Sequence, residues 1–119
     1  MADDALFLGW GEVVRGRETK AVEVFNESIE YYSKLQQDGK IESFEPWFLA
    51  PHGGDLQGFI LIRGERENLD EVVRSPEFES LLARVSLIVD RLGAVQAVTG
   101  ESLARGMGQF QEAAADIAG

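Results

Sequence analysis

Residues 56–63 read Leu-Gln-Gly-Phe-Ile-Leu-Ile-Arg. Alternate residues of an extended strand share a face, so Leu56, Gly58, Ile60 and Ile62 point one way and Gln57, Phe59, Leu61 and Arg63 the other. A strand with one side in water alternates apolar with polar, whereas this one carries large apolar groups on both sides. The sheet that contains it must be covered twice. Residues 6–14 agree, with Leu6, Leu8 and Trp10 on one side and Phe7 and Val13 on the other. Residues 41–49 place Trp47 and Leu49 against Phe44 and Phe48 in the same way.

The chain has material for only one of those covers. Residues 17–38 carry Val22, Phe25, Ile29, Tyr32 and Leu35 at helical steps, and Gly39 supplies a residue free of Cβ strain to end that helix. Asn68 followed by Glu71 reads as a capping box, and Ser75-Pro76 as a second helix start. The helix after Pro76 is predicted to run to Leu92 and to end at Gly93. Pro46 lacks the N–H that a central strand donates, which puts the 41–49 strand at an edge. Residues 56–63 pair with it in a hairpin, and residues 94–99 form a short fourth strand. After Gly100, the segment 101–118 spaces Leu103, Met107, Phe110, Ala114 and Ile117 along a weak helix interrupted by Gly106 and Gly108, which is expected to dock. The order is βαββαβ, an α+β, ferredoxin-like arrangement of an antiparallel sheet with helices on one face and an extra C-terminal helix. At 119 residues it makes one domain, with a core at 5–100 and a helical tail at 101–119.

The layout, with Leu56-Gln57-Gly58-Phe59-Ile60-Leu61-Ile62-Arg63-Gly64 running into Asn68-Leu69-Asp70-Glu71 and Ser75-Pro76-Glu77-Phe78, resembles the dimeric α+β barrel superfamily, which includes antibiotic-biosynthesis monooxygenase-like and YCII-like proteins. The resemblance implies a homodimer in which sheet meets sheet, the economical second cover for a face without helices. It implies no particular activity, because the superfamily hosts monooxygenases, isomerases, haem enzymes and proteins of unknown role. Its oxygenases use Asn, Trp, His or Arg in the helix-to-sheet cavity, and no such set aligns here residue by residue. The His/Asp pair of YCII-like proteins has no histidine in the first strand to match.

Two groups of residues follow from strand parity. Gly9 and Gly11 leave room on one face, where Phe25, Tyr32, Phe44 and Phe48 are expected to line an aromatic ligand pocket beneath the helices. Trp10, Trp47, Ile60 and Ile62 are the expected dimer interface, with Glu12 and Glu45 either as its rim or as an acid/base pair between the indoles. His52 sits in a predicted turn without a catalytic companion, and Arg63 either clamps an anion or pairs with Glu65 or Glu12.

Composition narrows the classes. The formal charge of -10 disfavours nucleic acid and anionic membranes as partners. With no cysteine and a single histidine, zinc–thiolate sites, cysteine-ligated clusters and all-histidine metal centres are excluded. No metal or cofactor is expected, and no GxGxxG or GK[ST] fingerprint is present. The acidic start after Met1 and the lack of cysteine suit a cytoplasmic protein. The sequence leaves three functions open: a small homodimer of unknown role that binds an apolar ligand between sheet and helices, a cofactor-independent monooxygenase-like enzyme on an aromatic substrate, and a protein-interaction domain. It assigns no catalytic residue.

Overall fold

The computed structural model describes residues 1–118. The last residue of the predicted tail, Gly119, lies outside the described residues. The elements are β1 (Asp4–Trp10), α1 (Glu18–Gln37), β2 (Ser43–Phe48), β3 (Gly58–Arg63), α2 (Arg66–Arg74), α3 (Pro76–Ser86), β4 (Gly93–Val98) and α4 (Gly100–Ala118). All three strand pairings are antiparallel and the sheet order is β2-β3-β1-β4. This is the βαββαβ arrangement, with Pro46 on an edge strand where its missing N–H leaves no ladder bond unmade.

Leu6 and Leu8 of β1 sit across from Ile62 and Ile60 of β3, and these four side chains form the sheet's contribution to the core. The helices bring Val24, Tyr32, Leu69 and Phe78 against them. Burial of such side chains stabilises by about 1.5–3 kcal/mol each, which fixes the register of the two central strands. Gly39 adopts φ 74°, and the Lys40 N–H donates to the Leu35 carbonyl at 2.9 Å, closing α1 where the glycine predicts. Ser75 caps α3 by accepting from the Phe78 N–H at 3.2 Å, with Pro76 in the first turn.

Three boundaries differ from the sequence expectation. Asn68 lies inside α2, whose N-cap is Glu65, so the capping box does not form there. α3 stops at Ser86 rather than Leu92, and Gly93 opens β4. β1 ends at Trp10. The last two share a cause: the backbone after β1 is hydrogen-bonded to the backbone after α3. Gly11 N–H donates to the Asp90 carbonyl at 2.8 Å, Asp90 N–H to Glu12 at 2.9 Å and Val14 N–H to Ile88 at 2.9 Å. Those bonds and the Val13–Val89 bridge commit the Ile88 and Asp90 carbonyls and the Asp90 N–H to residues 11–14, so the helical ladder is not continued past the last turn of α3. No helix among the described residues is long and apolar enough to cross a membrane.

Candidate functional site

A cavity of about 460 Å³ opens between α1, the sheet and the joined loops. Leu8, Trp10, Phe48 and Ile60 form the sheet side, Ala21, Phe25 and Ser28 the α1 side, and Val13, Ile88 and Val89 the loop side. Trp10 and Phe48 meet edge to face with ring centroids 6.2 Å apart, and Phe25 lies 5.2 Å from Phe48. These three rings form an aromatic enclosure. The mouth is open, with Phe48 70% and Val22 62% exposed.

Gly58 explains the position of Trp10. It faces Trp10 on one side and Phe48 on the other in the strand register. The indole lies over the bare glycine, so a Cβ there would come within 2.6 Å of Trp10 Cζ2. A strand glycine that admits a large cross-strand neighbour was the available sequence signal, and strand parity alone did not identify it.

The cavity is almost wholly apolar. Ser28 is its one buried polar side chain; its hydroxyl donates to the Val24 carbonyl at 2.9 Å, leaving the oxygen's lone pairs to accept. Glu18 lies at the edge, where its carboxylate accepts from the Gly16 N–H at 3.0 Å. Among the described residues no cluster of His, Asp or Glu is arranged to hold a metal ion.

The residues predicted to line a pocket are divided. Phe25 and Phe48 line the cavity. Tyr32 and Phe44 pack together with centroids 5.9 Å apart, in the core but outside the cavity lining. Gly9 is on the opposite side of the sheet, with the Phe7 ring leaning over it, and Gly11 lies beyond the strand against Asp90. The reason is register: Phe48 pairs with Gly58, which pairs with Trp10, so Phe44, Phe48 and Trp10 share the helix-facing side and Gly9 does not.

The expected interface set is corrected by the same register. Trp10, Ile60 and Ile62 face the helices, with Ile60 2% and Ile62 0% exposed; of the four, only Trp47 lies on the side away from them. There Trp47 stacks on Phe59 at 6.3 Å and Phe59 on Phe7 at 4.9 Å, a row of three rings across β2, β3 and β1. Leu61 and Val95 share this face. The two-faced apolar character is therefore present with different occupants.

The remaining polar residues have local roles. Glu45 accepts from the Trp47 indole N–H at 3.2 Å, while Glu12 is exposed in the joined loops, so the two do not form a dyad between indoles. His52 Nε2 donates to the Leu56 carbonyl at 2.7 Å and its Nδ1 accepts from the Gly54 N–H at 3.1 Å, pinning the β2–β3 loop. Arg63 is partly buried on the open face and has no ion pair among the described residues; Asp4 pairs instead with Arg66 at 3.1 Å. Tyr32 is fully buried with its hydroxyl unpartnered, and burial pushes that hydroxyl's pKa far above its ordinary value.

No family model matches the sequence, and no curated protein matches it. Solved structures do. A dimeric protein of unknown function with a ferredoxin-like fold from Bacteroides fragilis is 10% identical with a TM-score of 0.58, over 81% of this chain and 96% of that one. A dabb family protein with a ferredoxin-like fold from Mesorhizobium loti is 10% identical with a TM-score of 0.64, over 82% and 98%. SnoaB, a cofactor-independent oxygenase from Streptomyces nogalater, is 13% identical with a TM-score of 0.55, over 83% and 95%. The chain has the α+β, ferredoxin-like fold of these proteins.

Proposed function

We propose that this chain forms a cytoplasmic homodimer through the open sheet face, and that each subunit holds a small apolar ligand between α1 and the sheet. The cavity carries the ligand reading. Its volume of about 460 Å³ falls within the range of ligand pockets, ~300–1,000 Å³, and its walls are apolar except for Ser28 and, at the edge, Glu18. Such a site suits a compact, largely aromatic or aliphatic molecule with one hydrogen-bond donor directed at the Ser28 hydroxyl. The row Phe7, Phe59 and Trp47 supports the dimer, because an uncovered apolar face of this kind marks an association surface and a two-fold needs only one self-complementary patch. Dimeric neighbours with the same fold support it too.

Trp10 lines the cavity, and the chain contains two tryptophans, so Trp47→Phe leaves a single reporter in the wall. Titration of that variant with 1-aminoanthracene is expected to give saturable energy transfer from Trp10. Adding Ala21→Leu, which fills the cavity from α1, is expected to abolish the transfer while unfolding stays cooperative. Equal probe affinity in both proteins refutes the cavity assignment.

The fold shared with SnoaB favours a second reading, a cofactor-independent oxygenase acting on an aromatic substrate. Such a substrate must lose a proton and then supply its own electrons to oxygen. Glu18 is the titratable group at this cavity, and its carboxylate is engaged with the Gly16 N–H. Oxygen-electrode traces with an electron-rich polycyclic phenol test it: uptake that stops with the Ala21→Leu substitution moves this reading ahead of simple binding.

A further inference from the structure

α4 buries none of its residues. Its root is fixed, since the Thr99 N–H donates to the Asp3 carbonyl at 2.8 Å and the Glu101 N–H to the Asp3 carboxylate at 3.0 Å. Beyond that root, Leu103, Met107, Phe110 and Ile117 are exposed, Phe110 by 68% and Ile117 by 87%. With Ala114 they follow steps of four, three, four and three, the 3.5-residue period of a helix packed on another helix. Glu101, Arg105, Glu112 and Asp116 all fall off that stripe. Helices in proteins draw most of their stability from packing of an apolar face, and Gly106 and Gly108 each weaken this one by roughly 1 kcal/mol relative to alanine. The element needs a partner that its own chain does not provide.

We propose that α4 pairs antiparallel with α4 of a second copy, on a two-fold axis passing beside Phe110. The inference rests on the homodimer reading above. The stripe is self-complementary when reversed: Leu103 meets Ile117 of the partner subunit, Met107 meets the small Ala114 of the partner subunit, and Phe110 meets its own copy.

Dimensions agree. In the antiparallel pair the two Leu103 positions lie about 21 Å apart along the helices. Stacking two four-stranded sheets about 10 Å apart places the two β4 ends roughly 17–22 Å apart when the in-plane two-fold runs along or across the strands. Area points the same way. Four strands of about six residues present on the order of 380 Å² in projection, against roughly 800 Å² per partner in a standard stable interface. The arm pair adds apolar area to that small face.

The test is a sedimentation dilution series on the full chain. Phe110→Glu and Phe110→Lys, each alone, place like charges at the axis and are expected to raise the dimer Kd by at least about tenfold. An equimolar mixture of the two is expected to recover association as a heterodimer. Gln109→Glu, on the charged side of α4, is expected to leave Kd unchanged, and far-UV circular dichroism checks that the fold persists in every variant. An unchanged Kd in both Phe110 variants, or weakening without recovery in the mixture, overturns the arm pairing. Phe59→Asp separates the two claims: if it yields monomers while Phe110→Glu does not weaken the dimer, the sheet interface stands and the arm pairing falls. A full chain that is monomeric at all concentrations removes both.

Discussion

Gly58→Ala is the sharpest perturbation of the cavity. The added Cβ would lie 2.6 Å from Trp10 Cζ2, 3.0 Å from Trp10 Cε2 and 2.8 Å from the Trp47 carbonyl oxygen. Carbon atoms rest at about 3.5–4.0 Å, so the indole must move by most of an ångström. The carbonyl belongs to the neighbouring strand's backbone and can retreat only by loosening the β2–β3 ladder. Overpacking of this kind costs about 1–3 kcal/mol. For a chain of this length the unfolding entropy is about 0.25 kcal/mol/K, so the cost corresponds to a Tm lower by about 4–12 °C. Melting must be compared at one protein concentration, since association makes Tm concentration-dependent. Probe affinity should fall as well, because the displaced indole forms the cavity wall. Gly93→Ala is the control, since a Cβ added there on the exposed edge strand would meet nothing within 4 Å. A Gly58→Ala protein that melts within about 1 °C of the parent and binds 1-aminoanthracene equally well would refute the account of why Trp10 sits where it does.

Tyr32→Phe removes a buried hydroxyl that has no partner while keeping the ring against Phe44, so chemical denaturation at pH 7 should show stability unchanged or higher by about 1 kcal/mol. Burial raises the folded-state pKa above the ordinary 10.0, so the stability held at lower pH is lost as pH climbs past 10 and the unfolded chain releases its proton first. That loss is about 1.4 kcal/mol per pH unit for one group, and denaturation series from neutral to strongly alkaline pH should show a shallower decline in the phenylalanine variant. His52→Ala deletes both hydrogen bonds that pin the β2–β3 loop and should cost about 1 kcal/mol. Faster hydrogen exchange confined to that loop, with probe affinity unchanged, is the expected readout; lost probe binding would give His52 a role at the cavity.

The element order was legible because period, caps and breakers act locally: Pro46 on an edge, Gly39 after α1 and Ser75-Pro76 before α3 all stand where the residues place them. Which residues share a sheet face was not. Parity within one strand is plain, but the relation between strands depends on register, set here by a long β2–β3 loop that no tight-turn rule fixes. That unknown separated Trp47 from Trp10 and Gly9 from Phe48, whereas Trp10 and Ile60 share a face as parity implies and turn to the helices because the helices cover that face. The loop half of the cavity was hidden for a different reason. Val13 and Val89 meet through an isolated bridge between distant segments, and helical periodicity had assigned Val89 to α3.

That bridge gives the cavity an unusual tolerance. Its wall at Val13, Ile88 and Val89 is stitched by main-chain bonds, which do not depend on what the side chains are. Bulk can be changed at Val13, which is 40% exposed, while the seam stays sewn, so the bore of the chamber can be retailored from that side without redesigning the sheet beneath it, whereas Ile88 and Val89 also serve the buried core.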